Sequence, residues 1–188
     1  MNEKQRTRLS KFLSRHLRHD PAGLGLTLAE GGWVEVDDLL AGAARSGFAF
    51  TRDHLEEVVR ASDKQRFAFD PTGTQIRANQ GHSVEVDLQL PLAVPPTELF
   101  HGTPERHLEA ILRDGLFKMR RHHVHLSPDT QTALKVGQRH GKPIILRVDA
   151  ATMSADGYSF YLSANGVWLV DHVPPRYLRL ASPSEATR

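Results

Sequence analysis

An α+β chain of two lobes is what the sequence predicts, on three observations. Residues 90–96 carry Pro91, Pro95 and Pro96, a density that neither a helix interior nor a central strand accepts. They mark a linker at 91–96 between lobes at 1–90 and 97–188. Before it, apolar residues repeat first at helical spacing and then alternate at strand spacing. After it, short alternating runs dominate and strict strand–helix–strand alternation is absent, which argues against a doubly wound parallel sheet.

In the first half, Leu9, Phe12, Leu13 and Leu17 form the apolar stripe of a helix that Asp20-Pro21 stops. A second helix follows Trp33, with Asp37 as its expected cap and Val36, Leu39 and Leu40 as its apolar side chains. A third starts near Thr51 or Asp53, where Asp53 and Glu56 have capping-box spacing, and carries Leu55, Val58 and Val59. Phe67 and Phe69 then alternate, Asp70-Pro71-Thr72-Gly73 turns, and Ile76 begins a return strand. Three short helices and a hairpin make a winged-helix pattern. Such modules bind nucleic acid in some proteins and mediate only protein contacts in others.

In the second half, Glu98-Leu99-Phe100-His101 predicts a strand running into Gly102-Thr103-Pro104. There Thr103 is expected to cap a helix and Pro104 to occupy its first turn. Leu108, Ile111 and Leu112 are the apolar face of that helix, and Gly115 ends it. Residues 120–127 read as a strand, with Val124 and Leu126 facing the core and Arg121, His123 and His125 sharing the opposite face. The next helix is expected to be capped by Ser127, with Pro128 behind it. Strands at 143–149, 158–162 and 166–170 follow, the last two joined across Ala164-Asn165-Gly166.

Composition narrows the chemistry. The absence of cysteine excludes disulfides, thiolate catalysis and Cys-based zinc sites. No apolar run approaches membrane-spanning length and Met1-Asn2-Glu3-Lys4 lacks a signal-peptide core, so the expectation is a cytoplasmic protein without a membrane partner. Net charge is only +2, yet Lys and Arg cluster at 4–18 and 113–121, which favours a local basic patch and an anionic partner.

Helical geometry places Arg8, Arg15 and His19 along one flank of the first apolar stripe, His16 at its edge and Arg18 further round. Solvated arginines and a packed core histidine are the ordinary reading. The dense run Arg15-His16-Leu17-Arg18-His19 beside a stop signal points towards an anion site. Lys64 and Arg66 share a strand face just before the hairpin, where cations touch phosphates without reading sequence. His101-Gly102-Thr103 combines an imidazole at a strand end, a glycine that admits a ligand to the backbone, and the expected free amides of a helix start. Ser127-Pro128 repeats the last arrangement. His123 and His125 have His-x-His spacing but no supporting carboxylate, so no metal is expected. A glycine-rich dinucleotide fingerprint, a phosphate loop and a Gly-x-Ser-x-Gly turn are all missing.

Five ordered motifs resemble one family. They are Leu9-Ser10-Lys11-Phe12-Leu13-Ser14-Arg15-His16-Leu17-Arg18-His19, Ser62-Asp63-Lys64-Gln65-Arg66-Phe67, His101-Gly102-Thr103, Arg121-His122-His123-Val124-His125-Leu126-Ser127 and Asn165-Gly166-Val167-Trp168-Leu169. Together they resemble the NAD-dependent RNA 2′-phosphotransferases, tRNA-splicing enzymes that remove an internal 2′-phosphate. The resemblance implies an N-terminal winged-helix RNA lobe and a C-terminal ADP-ribosyltransferase-like mixed β lobe. It also implies two partners, a 2′-phosphorylated RNA of the tRNA kind and NAD⁺ as co-substrate, and it implies no protein partner beyond them. In the implied first step the RNA 2′-phosphate attacks C1″ of the nicotinamide riboside and nicotinamide leaves. In the second, the ribose O2″ attacks that phosphorus, releasing RNA with a free 2′-OH and ADP-ribose 1″,2″-cyclic phosphate.

By the same resemblance Arg15, His16, Arg66 and Arg121 correspond to the family's essential quartet, and Arg18 and Lys64 are further expected contacts to the RNA phosphate. His101, Gly102 and Thr103, with His125 and Ser127, are expected to hold NAD⁺. Val167 stands where many ADP-ribosyltransferases carry a glutamate, which fits a nucleophile that is already anionic. A phosphate dianion calls for several fixed cations, and bidentate arginine positions it better than lysine. His16 can serve as an imidazolium ligand or carry protons in the second step, and both roles stay open. Two other readings stay open as well. One is an NAD-dependent ADP-ribosyltransferase that stops on a nucleic-acid phosphate without the second step. The other is a winged-helix regulator whose second lobe only senses a nucleotide.

Overall fold

Leu9, Leu13 and Leu17 are buried along one face of helix α1 (Glu3–Arg18) in the computed structural model, which describes residues 1–138 and 141–181. Asn2 and Gln5 close a capping box at its start, and the helix stops short of Pro21. Helices α2 (Val36–Arg45) and α3 (Arg52–Arg60) follow. Leu39 and Leu55 join the α1 leucines and Ile76 in one core.

The caps differ from the sequence expectation. No side chain caps α2, so Asp37 sits in its first turn, where its charge suits the helix dipole without closing the end. Thr51 caps α3 by accepting from the His54 amide at 3.3 Å, and His54 rather than an acidic side chain completes the box. Strands β1 (Val34–Glu35), β2 (Phe67–Phe69) and β3 (Gln75–Ala78) form an antiparallel sheet in the order β1-β3-β2. The hairpin β2–β3 turns at residues 70–74, where Asp70 accepts from the Gln75 and Thr72 amides.

The chain divides into two units, Met1–Gln89 and Leu90–Arg188, so residues 91–96 count with the second. There the Ala93 amide donates to the Phe160 carbonyl at 2.9 Å and Leu92 bridges Tyr161. Of the expected second lobe, residues 139–140 and 182–188 lie outside the described residues.

The second unit runs β4 (Glu98–Pro104), α4 (Leu108–Asp114), β5 (Leu116–Phe117), β6 (Val124–Leu126) and α5 (Thr130–Gly137). It continues with β7 (Pro143–Asp149), α6 (Ala150–Ala155), β8 (Phe160–Leu162), β9 (Trp168–Val170), β10 (His172–Val173) and β11 (Leu178–Leu180). Its antiparallel sheets have the orders β11-β7-β4, β6-β9-β8 and β10-β5, so the class is α+β. Leu99, Leu146, Val148, Met153 and Phe160 are among the core residues these elements enclose.

Three local expectations fail here for one reason: strand pairing overrides a local helix signal. β4 does not stop at His101 but pairs with β7 through Thr103↔Ile144 and Pro104↔Pro143, so Thr103 caps nothing. Helix α4 begins after a 3₁₀ turn at Glu105–His107 and has no side-chain cap. Asp129, not Ser127, caps α5, accepting from the Thr132 amide at 2.7 Å. Ser127 instead exchanges two backbone hydrogen bonds with Phe100, at 2.8 and 2.9 Å. The strand expected over 120–127 is shorter too. Residues 119–123 turn and bend, with the Arg121 amide donating to the Lys118 carbonyl at 3.0 Å, so Arg121 lies outside β6.

Candidate active site

In the first unit, α1 and the turn at 62–66 line an open groove of about 700 Å³. Arg15, Lys64 and Arg66 all line it, beside Lys11 and His19. Three cations expected to meet phosphate from separate stretches of sequence are thus gathered in one place. Arg15 also lies 3.3 Å from the Asp20 carboxylate, an exposed pair of the kind that contributes little to stability.

His16 and Arg18 are not among the lining residues. His16 is 7% exposed, its Nδ1–H donates to the Asp20 carbonyl at 2.9 Å, and its ring lies 4.6 Å from that of Phe12. It takes the position of a packed core histidine behind the groove-lining Arg15. Arg18 is half-buried, its guanidinium 5.8 Å from the Phe67 ring and 3.4 Å from the Arg66 carbonyl.

Arg66 owes its place to a residue that sequence reasoning passed over. The turn closes through the Gln65 amide and the Ser62 carbonyl at 2.8 Å, leaving Gln65 at φ +40°. Asn79, 6% exposed, holds that strained turn: its Nδ2 donates to the Gln65 carbonyl at 2.6 Å and its amide to the Arg66 carbonyl at 3.0 Å. The available signal was an amide side chain immediately after an alternating strand, where burial demands polar partners.

The second unit holds another cluster. His101 on β4 donates from Nδ1–H to the His125 carbonyl at 3.0 Å, and an Arg121 guanidinium N–H lies 3.4 Å from the His125 Nδ1. Arg121, His101 and His125 are therefore brought together although Arg121 is not on the strand. Burial pushes the His101 pKa down; the His125 carbonyl opposes this, and the Arg121 cation adds to it. His101 is thus neutral near pH 7, with Nε2 as its acceptor. His123, which shares the segment, lies 3.9 Å from the Asp171 carboxylate and 5.3 Å, ring to ring, from Tyr161. Burial lowers its pKa, against the pull of Asp171.

Gly102 has a use other than the expected approach of a ligand. A Cβ built there would lie 1.7 Å from the Ala133 carbonyl oxygen and 2.5 Å from its carbon. The close approach is that of helix α5 on strand β4. Gly137 serves the same contact from the helix side, where a Cβ would lie 3.1 Å from the Thr103 amide nitrogen. Thr103, 5% exposed, is part of that packing, and Ser127 contributes backbone pairing to β4.

Among the described residues no three metal-ligating side chains gather, and no helix is long and apolar enough to cross a membrane. Chemically, the first unit offers a cationic groove for a phosphate, and the second offers a neutral imidazole acceptor and a guanidinium for a polar ligand.

Comparison with known proteins gives these groups a context. The model of the RNA 2′-phosphotransferase, Tpt1/KptA family matches residues 4–172. A probable RNA 2′-phosphotransferase of Streptomyces coelicolor is 58% identical over 183 residues, 97% of this chain and 100% of that protein. One from Trichormus variabilis is 59% identical over 96% of this chain and 99% of its own length. One from Agrobacterium fabrum is 55% identical over 96% and 97%.

Proposed function

This chain belongs to the RNA 2′-phosphotransferase, Tpt1/KptA family, and on that premise we propose that it transfers the internal 2′-phosphate of a spliced-tRNA-type RNA to NAD⁺. The observation that carries the reading within the molecule is the groove that collects Arg15, Lys64 and Arg66. Three helices and the β1-β3-β2 sheet fit a winged-helix RNA lobe, and the small antiparallel sheets of the second unit fit an ADP-ribosyltransferase-like lobe. The reading places the protein in the cytoplasm and gives it no metal.

The residues present suit NAD⁺. His101 keeps its Nε2 lone pair for a ribose hydroxyl because Nδ1–H is committed to a carbonyl. His125 lies next to it, Thr103 sits on the same strand as His101, and Ser127, two residues after His125, pairs with Phe100 of that strand. When bound, NAD⁺ supplies the electrophilic C1″ and nicotinamide as leaving group. Arg15, Lys64 and Arg66 hold the RNA 2′-phosphate, with Arg18 and His16 beside or behind them. The phosphate oxygen forms the bond to C1″ as the C1″–nicotinamide bond breaks, and no base is needed to ionise it. The ribose 2″-hydroxyl then gives up its proton and bonds to phosphorus as the bond from phosphorus to the RNA 2′-oxygen breaks. That leaving oxygen takes up a proton, so the step is proton-neutral. Arg121 stabilises charge on the phosphoryl group in this second displacement.

Incubating the full chain with a 2′-phosphorylated oligonucleotide, with and without NAD⁺, tests this. The expected products with NAD⁺ are 2′-OH RNA, nicotinamide and ADP-ribose 1″,2″-cyclic phosphate, with no phosphate removal otherwise. Accumulation of ADP-ribosylated RNA without the cyclic phosphate would replace the two-step reading with a one-step transferase.

A further inference from the structure

Helix α1 carries a second pattern that removal of the 2′-phosphate leaves unused. Thr7, Ser10, Lys11 and Ser14 recur three and four residues apart, so they form one stripe along the helix. All four line the groove that holds Arg15, Lys64 and Arg66. From Thr7 to Arg15 the stripe runs about 12 Å at the helical rise, room for about three nucleotides at the rise of a stacked strand. Its charge is graded. At the far end Glu57 engages Arg6 at 3.2 Å and the chain's amino group at 2.8 Å, and Glu3 also lines the groove. Lys11 stands between that neutralised end and the arginines.

The lining chemistry is equally specific in what it offers a nucleic acid. Hydroxyls and cations dominate, the apolar members are Val58 and Ala61, the described lining has no Phe, Tyr or Trp, and its one imidazole, His19, is tied to the Ser83 hydroxyl at 2.8 Å. Proteins that hold single strands through their bases present aromatic stacking platforms. Contacts to phosphate and sugar instead position a strand without reading it.

We propose, building on the function above, that the α1 stripe is a track for the single-stranded RNA flanking the 2′-phosphate, gripping its sugar–phosphate backbone and ignoring its bases. Lys11 pairs with a flanking phosphate, and Thr7, Ser10 and Ser14 offer hydroxyls to backbone oxygens.

The test uses 2′-phosphorylated oligoribonucleotides, a trimer and a nonamer with either uridine or adenosine flanks. Both affinity and NAD⁺-dependent phosphate release are measured with the full chain. The nonamer is expected to bind about tenfold more tightly than the trimer whichever base flanks it. Lys11→Ala should narrow that ratio roughly threefold and reduce the salt slope for the nonamer by about 0.7, the loss of one single-strand phosphate contact. Lys11→Arg should keep both. Equal affinity for the two lengths, a ratio untouched by Lys11→Ala, or a strong preference for one flanking base would overturn the track while leaving the function standing. If neither length loses its phosphate with NAD⁺ present, the function falls and the track with it.

Discussion

Gly102→Ala will destabilise the protein through helix α5 rather than through a ligand. The added methyl carbon would lie 1.7 Å from the Ala133 carbonyl oxygen, about 1.8 Å inside ordinary contact. The methyl carbon is fixed to Cα and the carbonyl belongs to the main chain, so neither can rotate away. Either α5 lifts from β4 or the β4–β7 pairing bends. Overpacking costs about 1–3 kcal/mol where side chains can adjust. A backbone-to-backbone clash belongs at the top of that range, so we expect about 3 kcal/mol. For a chain of this size that lowers the Tm by about 6–12 °C. Gly137→Ala is the internal control. Its Cβ would meet neighbours at 3.1–3.2 Å, which a shift of tenths of an ångström relieves. Alanine's better helix propensity offsets about 1 kcal/mol, so that variant should melt close to the wild type. Circular-dichroism melts of both variants decide the matter, with the KM for NAD⁺ measured beside them. A Gly102→Ala protein melting within about 2 °C of wild type but with a raised KM would refute the packing account and restore the glycine as a ligand's point of approach.

Three further outcomes follow from the site. Arg121→Ala should slow the second chemical step by about 30- to 1000-fold, from about 2–4 kcal/mol of lost charge-assisted stabilisation, with an unchanged melt because the side chain is exposed; unchanged single-turnover rates would remove Arg121 from the mechanism. Asn79→Ala should cost about 1–2 kcal/mol and weaken RNA binding, since it releases the Gln65 carbonyl and the turn carrying Arg66, and Gln65→Gly should recover part of the stability by accommodating φ +40°; calorimetry on the three proteins checks both. Because the folded pKa of His101 lies below the usual 6.5, the unfolded chain binds a proton that the folded chain refuses as pH falls through that value. Stability should therefore be intact above about pH 6.5 and decline below it, by at most about 1.4 kcal/mol per pH unit for that proton. His123 contributes in the same sense, so denaturant titrations of His101→Asn should show a shallower decline, and an unaltered profile would count against the assignment.

Local signals were legible where the chain follows its own periodicity. The α1 stripe, the β2–β3 hairpin and β7 at Pro143–Asp149 all read directly from spacing, because each buries one face and turns at a residue suited to turning. Thr103-Pro104 and Ser127-Pro128 misled because a cap signal is worth little against ladder pairing with β7 or Phe100. The cations of the candidate site were visible as residue types, yet their gathering was not. Arg15 and Arg66 meet in one groove through the α1–α3 core and the grip of Asn79, both contacts between residues distant in sequence. Gly102 was noticed as a point of close backbone approach, and the structure shows helix α5 making one such approach, which the sequence did not reveal because α5 is placed by tertiary packing.

The paired amides of Phe100 and Ser127 separate what may vary from what must persist in the second unit. His101 follows Phe100 directly and His125 precedes Ser127 by two, so the spacing of the two imidazoles is inherited from peptide groups rather than from side chains. Serine at 127 can therefore drift to alanine without changing that spacing, whereas proline, lacking the amide, cannot take its place. A single-residue insertion in either strand would be worse than any substitution, because it turns one imidazole to the opposite face of its sheet. Slow hydrogen exchange at these two amides is the signature of a spacing held by main chain, and it should survive the loss of either histidine.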